Sequence, residues 1–274
     1  MVHHQRIREE VSRPGKSPGW LCGLVALAAV IAGCAVSRPE LSDTVGSAIY
    51  SRAELHFDRV ELLKPREQGT AGDLAATFAP LIVREVVGEH TNVAPDRVYS
   101  KVSTFSVHGR LHYQITYVWN SRMTSVSASK PRWQGVRATL DAHGVPVIWE
   151  VLRDSSGAEL VFVTQSLEAE TRENYGAVLK GRRYAVESGL PQAPEVVVPR
   201  VIDDAPAEMG PILYLAAGSG DVRTLICRCM PSQAREVAAS AYYDLSPLMA
   251  VAAIVPAFPP ADSIESKLRL PPDF

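Results

Sequence analysis

Between Val98 and Gln165 the chain repeats one pattern, short apolar runs of strand length separated by turn residues. Its clearest stretch is Leu111 to Trp119, where Leu111, Tyr113, Ile115, Tyr117 and Trp119 alternate with His112, Gln114, Thr116 and Val118. A repeat of two is the period of an extended strand with one buried face. Val98 to Val107 precedes it across His108-Gly109-Arg110, and the two runs predict a hairpin. Trp133 to Leu140, Val145 to Arg153 and Ala158 to Gln165 follow, joined by Asp141-Ala142-His143-Gly144 and Asp154-Ser155-Ser156-Gly157. In both turns Asp can bond turn amides and Gly can take positive φ. These runs predict a five-strand antiparallel meander. Val145 to Arg153 is apolar on both sides, which places it centrally with both faces covered.

The flanking segments are read as accessory. Glu54 to Leu63 fits a strand or a short helix equally well. Thr70 and Asp73 resemble a cap, and Leu74, Phe78, Ile82 and Val86 recur at fourfold spacing, which predicts a helix from Asp73 to Val87 kinked at Pro80. A second helix is expected from Leu167 to Tyr175, capped by Ser166 and ended by Gly176. Prolines then punctuate short apolar runs such as Glu195 to Ile202. Pro211 to Ala217 and Val222 to Cys229 predict a hairpin around Gly218-Ser219-Gly220-Asp221, and Ser232 starts a helix to Tyr243. Pro247 to Phe258 reads as an extended surface arm, and Asp262 with Glu265 caps a last short helix. The expected fold class is α+β, an antiparallel β-meander of about five to eight strands with a few packing helices.

The N-terminus carries a different message. Arg6, Arg8, Arg13 and Lys16 precede thirteen uncharged residues, Trp20 to Ala32, closed by the small pair Ala32-Gly33. Those are the parts of an export signal, and the apolar run is shorter than the roughly 20 residues a membrane-spanning helix needs. Its end, Ile31-Ala32-Gly33-Cys34, resembles the lipobox of bacterial lipoproteins, although Ile31 stands where Leu is usual and Glu9 and Glu10 lie in a long charged leader.

The resemblance covers the first 34 residues only. It implies that the Cys34 thiol receives a diacylglyceryl group and becomes the first residue after cleavage. It also implies that Ala35, which is not Asp, directs the protein to the outer membrane, facing the periplasm. Two or three acyl chains on one cysteine anchor a protein stably to a lipid bilayer. The expected organisation is therefore a signal peptide over 1–33, a lipidated cysteine and tether over 34–50, a globular domain over 51–246, and an apolar Pro-rich arm with a short helix over 247–274.

Charge narrows the partner classes. Removing residues 1–34 takes away four basic and two acidic residues, which turns the net charge of −2 into −4. No basic stripe remains to neutralise phosphates, so nucleic acid is not an expected partner.

The most pointed chemistry is Cys227-Arg228-Cys229-Met230-Pro231. Residues two apart on a strand face the same way, and Arg228 with the amides of a following helix would favour thiolates. Three readings compete: a structural pair in the core, a redox or disulfide pair, and a soft-metal site in which Cys227, Cys229 and Met230 take Cu(I). Cys22 leaves with the signal and Cys34 is lipidated, so in an oxidising compartment Cys227 and Cys229 pair with each other or with another chain. An extended Cys-X-Cys holds its Cβ atoms beyond the roughly 3.5–4.5 Å a disulfide needs, and pairing requires a bent backbone. Two thiolates also fall short of a closed metal site. The buried structural pair is the simplest reading.

Other candidates have ordinary explanations. His108 and His112 have a ligand spacing suited to a helix but are separated by a turn, with His112 on the polar face; His143 is a turn residue, and His56 and His90 lack a partner at ligand spacing. Tyr113, Tyr117 and Trp119 could stack a sugar or aromatic ligand, yet an alternating stripe is also how a sheet buries its core side. Glu168, Glu170 and Glu173 read as a solvated helix face. No recognised catalytic set is present, so the expectation is a non-catalytic envelope lipoprotein that binds an envelope protein partner. The rival is a periplasmic thiol protein that handles copper or disulfides.

Overall fold

The computed structural model describes residues 49–54, 56–66, 73–87, 95–121, 132–189, 196–204, 209–228, 233–251 and 264–274. The expected strands of the middle are present. They are β3 (Arg97–Val107), β4 (Arg110–Ser121), β5 (Arg132–Leu140), β6 (Pro146–Val151) and β7 (Glu159–Thr164), each antiparallel to the next. His108 and Gly109, with φ of 48° and 80°, form the two-residue turn between β3 and β4, a conformation that suits the right-handed twist of the strands.

The expected fold class is nevertheless wrong for the whole. The protein is mostly β, with one mixed sheet of 12 strands in the order β11-β10-β2-β1-β12-β3-β4-β5-β6-β7-β8, and β9 also paired to β7. The additional strands are β1 (Phe57–Pro65), β2 (Leu81–Glu85), β8 (Val196–Val197), β9 (Val201–Ile202), β10 (Ile212–Leu215), β11 (Val222–Ile226) and β12 (Ala234–Pro247). β12 joins β1 and β3 in parallel, β10 joins β2 in parallel, and β8 and β9 join β7 in parallel. Parallel neighbours are brought together by long connections, so no local turn motif announces them.

Two expected helices are strands for identifiable reasons. The 73–87 segment makes one turn, α2 (Leu74–Thr77), which Asp73 caps by accepting from the amides of Ala75 (3.0 Å) and Ala76 (3.4 Å). Pro80 then has no N–H to continue the ladder, and Ile82 and Val83 run on as β2. Ser232 lies outside the described residues. The segment from Ala234 onward, rich in helix-forming Ala, is extended as β12 because pairing with β1 overrides its local preference. The other helices among the described residues are α1 (49–53), α3 (Gln165–Tyr175), α4 (Ile264–Lys267) and a 3-10 turn at Leu248–Val251; Gly176 ends α3 as expected, but Thr164 precedes it without a side-chain cap.

The sheet curls until its two ends share a core. Leu213 and Leu225, from β10 and β11, pack in one cluster with Trp149 and Phe162 from β6 and β7. Asp221, in the β10–β11 hairpin, accepts from Arg132 (2.6 Å), Gln134 (3.0 Å) and Ser155, which ties the two ends together. Ile49, Ala75, Phe78 and Ala79 fill the interior. The outer face of β6 and β7 is covered by the C-terminal residues Ile264, Leu268, Leu270 and Phe274. That covering explains why every residue of β6 and β7 is buried.

Candidate functional site

Cys227 directly follows β11 in the core and is 2% exposed. It is disulfide-bonded, and its partner cysteine lies outside the described residues. Cys34, Cys229 and Met230 lie there as well. The sulfur sits 3.8 Å from the Asp204 carbonyl oxygen and borders a cleft whose other walls include Trp149, Thr164, Ile202, Asp203 and Met209. That cleft has about 10 Å³ of free space, room for one water and far below a small-molecule site.

Arg228 turns the opposite way, into the interior segment behind α2. Its guanidinium donates to the Ala79 carbonyl, while the Tyr117 hydroxyl donates to the Ala75 carbonyl (2.8 Å) and the Tyr243 hydroxyl to that of Pro80 (2.7 Å). Burial pushes both phenols well above their ordinary pKa, and burial lowers that of Arg228. Three side chains thus satisfy the carbonyls of Ala75 within α2 and of Ala79 and Pro80 just beyond it. Gly210 allows this: a Cβ there would stand 2.2 Å from the Phe78 carbonyl oxygen. Arg228 is therefore a structural cation.

The aromatic stripe divides. Tyr117 and Trp119 are core residues, but the hairpin projects beyond its cover, leaving Leu111 67%, Tyr113 44% and Val102 41% exposed. Val102 pairs with Ile115, and Leu111, Tyr113 and Ile115 alternate on β4, so the three form one apolar patch on the core side of the sheet. The tip lies opposite the strand end at which residues 49–53 enter, where Arg52 binds Asp154 (2.8 Å) in the β6–β7 turn.

Several polar residues fell elsewhere than sequence suggested. His112, expected on a polar face, is buried; its Nδ1 lies 3.0 Å from the Leu140 carbonyl oxygen and its ring stacks on Phe274 at 4.8 Å. His108 sits by Glu265, His56 is exposed, His143 is in its turn, and His90 lies outside the described residues. Glu168, expected in solvent, is buried and accepts from the amides of Ala185 (2.9 Å) and Val186 (3.0 Å). Glu187 accepts likewise from Arg183, Tyr184 and Val198; burial raises its pKa, against the opposite pull of those amides.

Sequence reasoning missed a buried charge cluster on the covered outer face. Lys267 of α4 donates to Glu150 (2.8 Å) and to Glu159, and Arg137 lies 3.5 Å from the other Glu150 oxygen. Two cations balance two carboxylates, which makes the cluster a structural lock for the C-terminal segment. Arg137 and Glu150 are register partners on β5 and β6, and opposite charges in adjacent apolar strands were the available signal.

Among the described residues no group of His, Cys, Asp and Glu is placed to hold a metal ion, and no helix is long and apolar enough to cross a membrane. No family model matches the chain, and no curated protein or solved structure matches it either.

Proposed function

We propose that the protein is a bacterial cell-envelope lipoprotein, anchored through Cys34, whose domain serves as a non-catalytic binding or assembly module. The exposed Val102, Leu111 and Tyr113 patch supports the binding role most strongly. The patch lies at the end of the sheet opposite the β6–β7 turn, where Arg52 binds Asp154, and β4 alone spans 12 residues, so the two ends stand more than about 30 Å apart along the strand. Such a patch at the tip of a projecting hairpin suits a protein partner in the envelope.

The disulfide at Cys227 supports export into an oxidising compartment. A sulfur so buried is out of reach of another protein's thiolate, and a disulfide offers no thiolate to copper; both points favour a staple over the rival thiol chemistry.

Palmitate labelling of producing cells, followed by fractionation, tests the anchor. Wild type should carry label and sediment with membranes, and Cys34→Ser should lose both. Unlabelled wild-type protein, or label retained by Cys34→Ser, would overturn the reading.

A further inference from the structure

The C-terminal segment, residues 264–274, is held as a peptide is held in a groove. Among the described residues it joins no strand of the sheet. Its backbone makes one isolated bridge, Leu268 to Glu187, and the Arg269 amide donates to the Val186 carbonyl (2.8 Å). Side chains carry most of the attachment: Ile264, Leu268 and Leu270 enter the outer apolar cluster of β6, β7 and α3, and the Phe274 ring stacks on His112.

The polar contacts read the identity of the segment. Lys267, 5% exposed, places its ammonium between the buried carboxylates of Glu150 and Glu159. Arg269 lies over the Tyr175 ring and donates to the carbonyls of Ala185 (3.2 Å) and Tyr175 (3.1 Å), while the Tyr175 hydroxyl donates to that of Leu270 (2.7 Å). A cover needed for burial alone can be apolar, because buried ion pairs often stabilise no better than well-packed hydrophobic residues of the same volume. What the pair adds is selection, since a segment without a cation at this position leaves Glu150 and Glu159 short of a partner. The segment is therefore a specific ligand of the groove. Residues 252–263 link it to Val251, and a link of that length reaches up to about 40 Å.

We propose that this groove also takes the segment 264–274 of a second copy of the chain, the two copies exchanging segments. A second copy meets every subsite by construction, with its Lys267 between Glu150 and Glu159, its Arg269 on Tyr175 and its Phe274 on His112. The contacts are the same within one chain and between two, so concentration decides the balance, and mutual exchange fills both grooves in a closed dimer. The exchange goes beyond the lipid anchor and the hairpin patch and depends on neither.

Two variants of the full chain, each with one introduced thiol, test it. Arg110 and Asp273 form an exposed pair 3.2 Å apart, so their replacement spares the core. A segment seated in a second copy brings Asp273→Cys of one chain beside Arg110→Cys of the other. After long incubation of the concentrated mixture, a short bismaleimide should link the two variants into a covalent heterodimer. Its yield should be about ten times that obtained when Arg97→Cys, exposed at the other end of β3, replaces Arg110→Cys. Lys267→Glu in the Asp273→Cys chain should return the yield to that background, because it sets a third carboxylate against Glu150 and Glu159. An excess of synthetic peptide with the sequence of residues 264–274 should do the same, and this arm decides alone if Lys267→Glu unfolds its chain. A yield no higher than the Arg97→Cys background, or one indifferent to the peptide or to a folded Lys267→Glu chain, would overturn the inference.

Discussion

β6 and β12 are both flanked on two sides in the order of one sheet, yet they live in different environments. All six residues of β6 are buried, Trp149 in the interior core and Ile148 in the outer one. Of the fourteen residues of β12, Tyr243 alone is buried. Position within a sheet does not decide burial; what lies on the two faces does. β6 is covered inside by the curled sheet and outside by the C-terminal segment, whereas the outer face of β12 carries Val237 and Tyr242 into solvent. The covered half is suited to be a rigid frame, and the uncovered strand is suited to open locally.

The largest expected effect lies in the covered half. Lys267→Met would leave Glu150 and Glu159 buried with Arg137 as their nearby cation, which should cost about 3–5 kcal/mol in urea denaturation. A loss below about 1 kcal/mol would mean that the C-terminal segment is not locked by charge.

A smaller effect concerns pH. Burial raises the Glu187 pKa above its ordinary 4.5, so the folded state binds its proton more tightly than the unfolded chain. The associated stability is full below 4.5 and is lost as pH rises through the raised value. Urea midpoints of wild type should fall across that window relative to Glu187→Gln, and parallel profiles would contradict the assignment.

The smallest effect belongs to β12. Val237→Ala on the exposed face should change monomer stability by no more than about 0.5 kcal/mol. A loss several times larger, read from thermal melts at low protein concentration, would erase the contrast with β6.

The legibility of the sequence follows the same division. From β3 to β7, alternation and turn residues agree with the structure, because consecutive antiparallel strands are specified by neighbours in sequence. β12 was misread because its alanines favour a helix and its partners, β1 and β3, lie far away in the chain. The stripe through Leu74, Phe78, Ile82 and Val86 misled for another reason: a turn of helix followed by a strand kept fourfold spacing across Pro80. At the site, Cys227 was found from its spacing, but its burial and the diversion of Arg228 to the Ala79 carbonyl depend on the curled sheet. The exposed end of the aromatic stripe was likewise hidden, since alternation reveals which side of a strand faces inward and not where the cover ends.

Amide hydrogen exchange compares the two strands in one experiment. The β6 amides should exchange only through global unfolding. Between Val237 and Tyr242 the β12 amides should exchange through local opening, well ahead of those of β6. Amides in this stretch of β12 as slow as those of β6 would contradict the contrast between the covered and the uncovered strand.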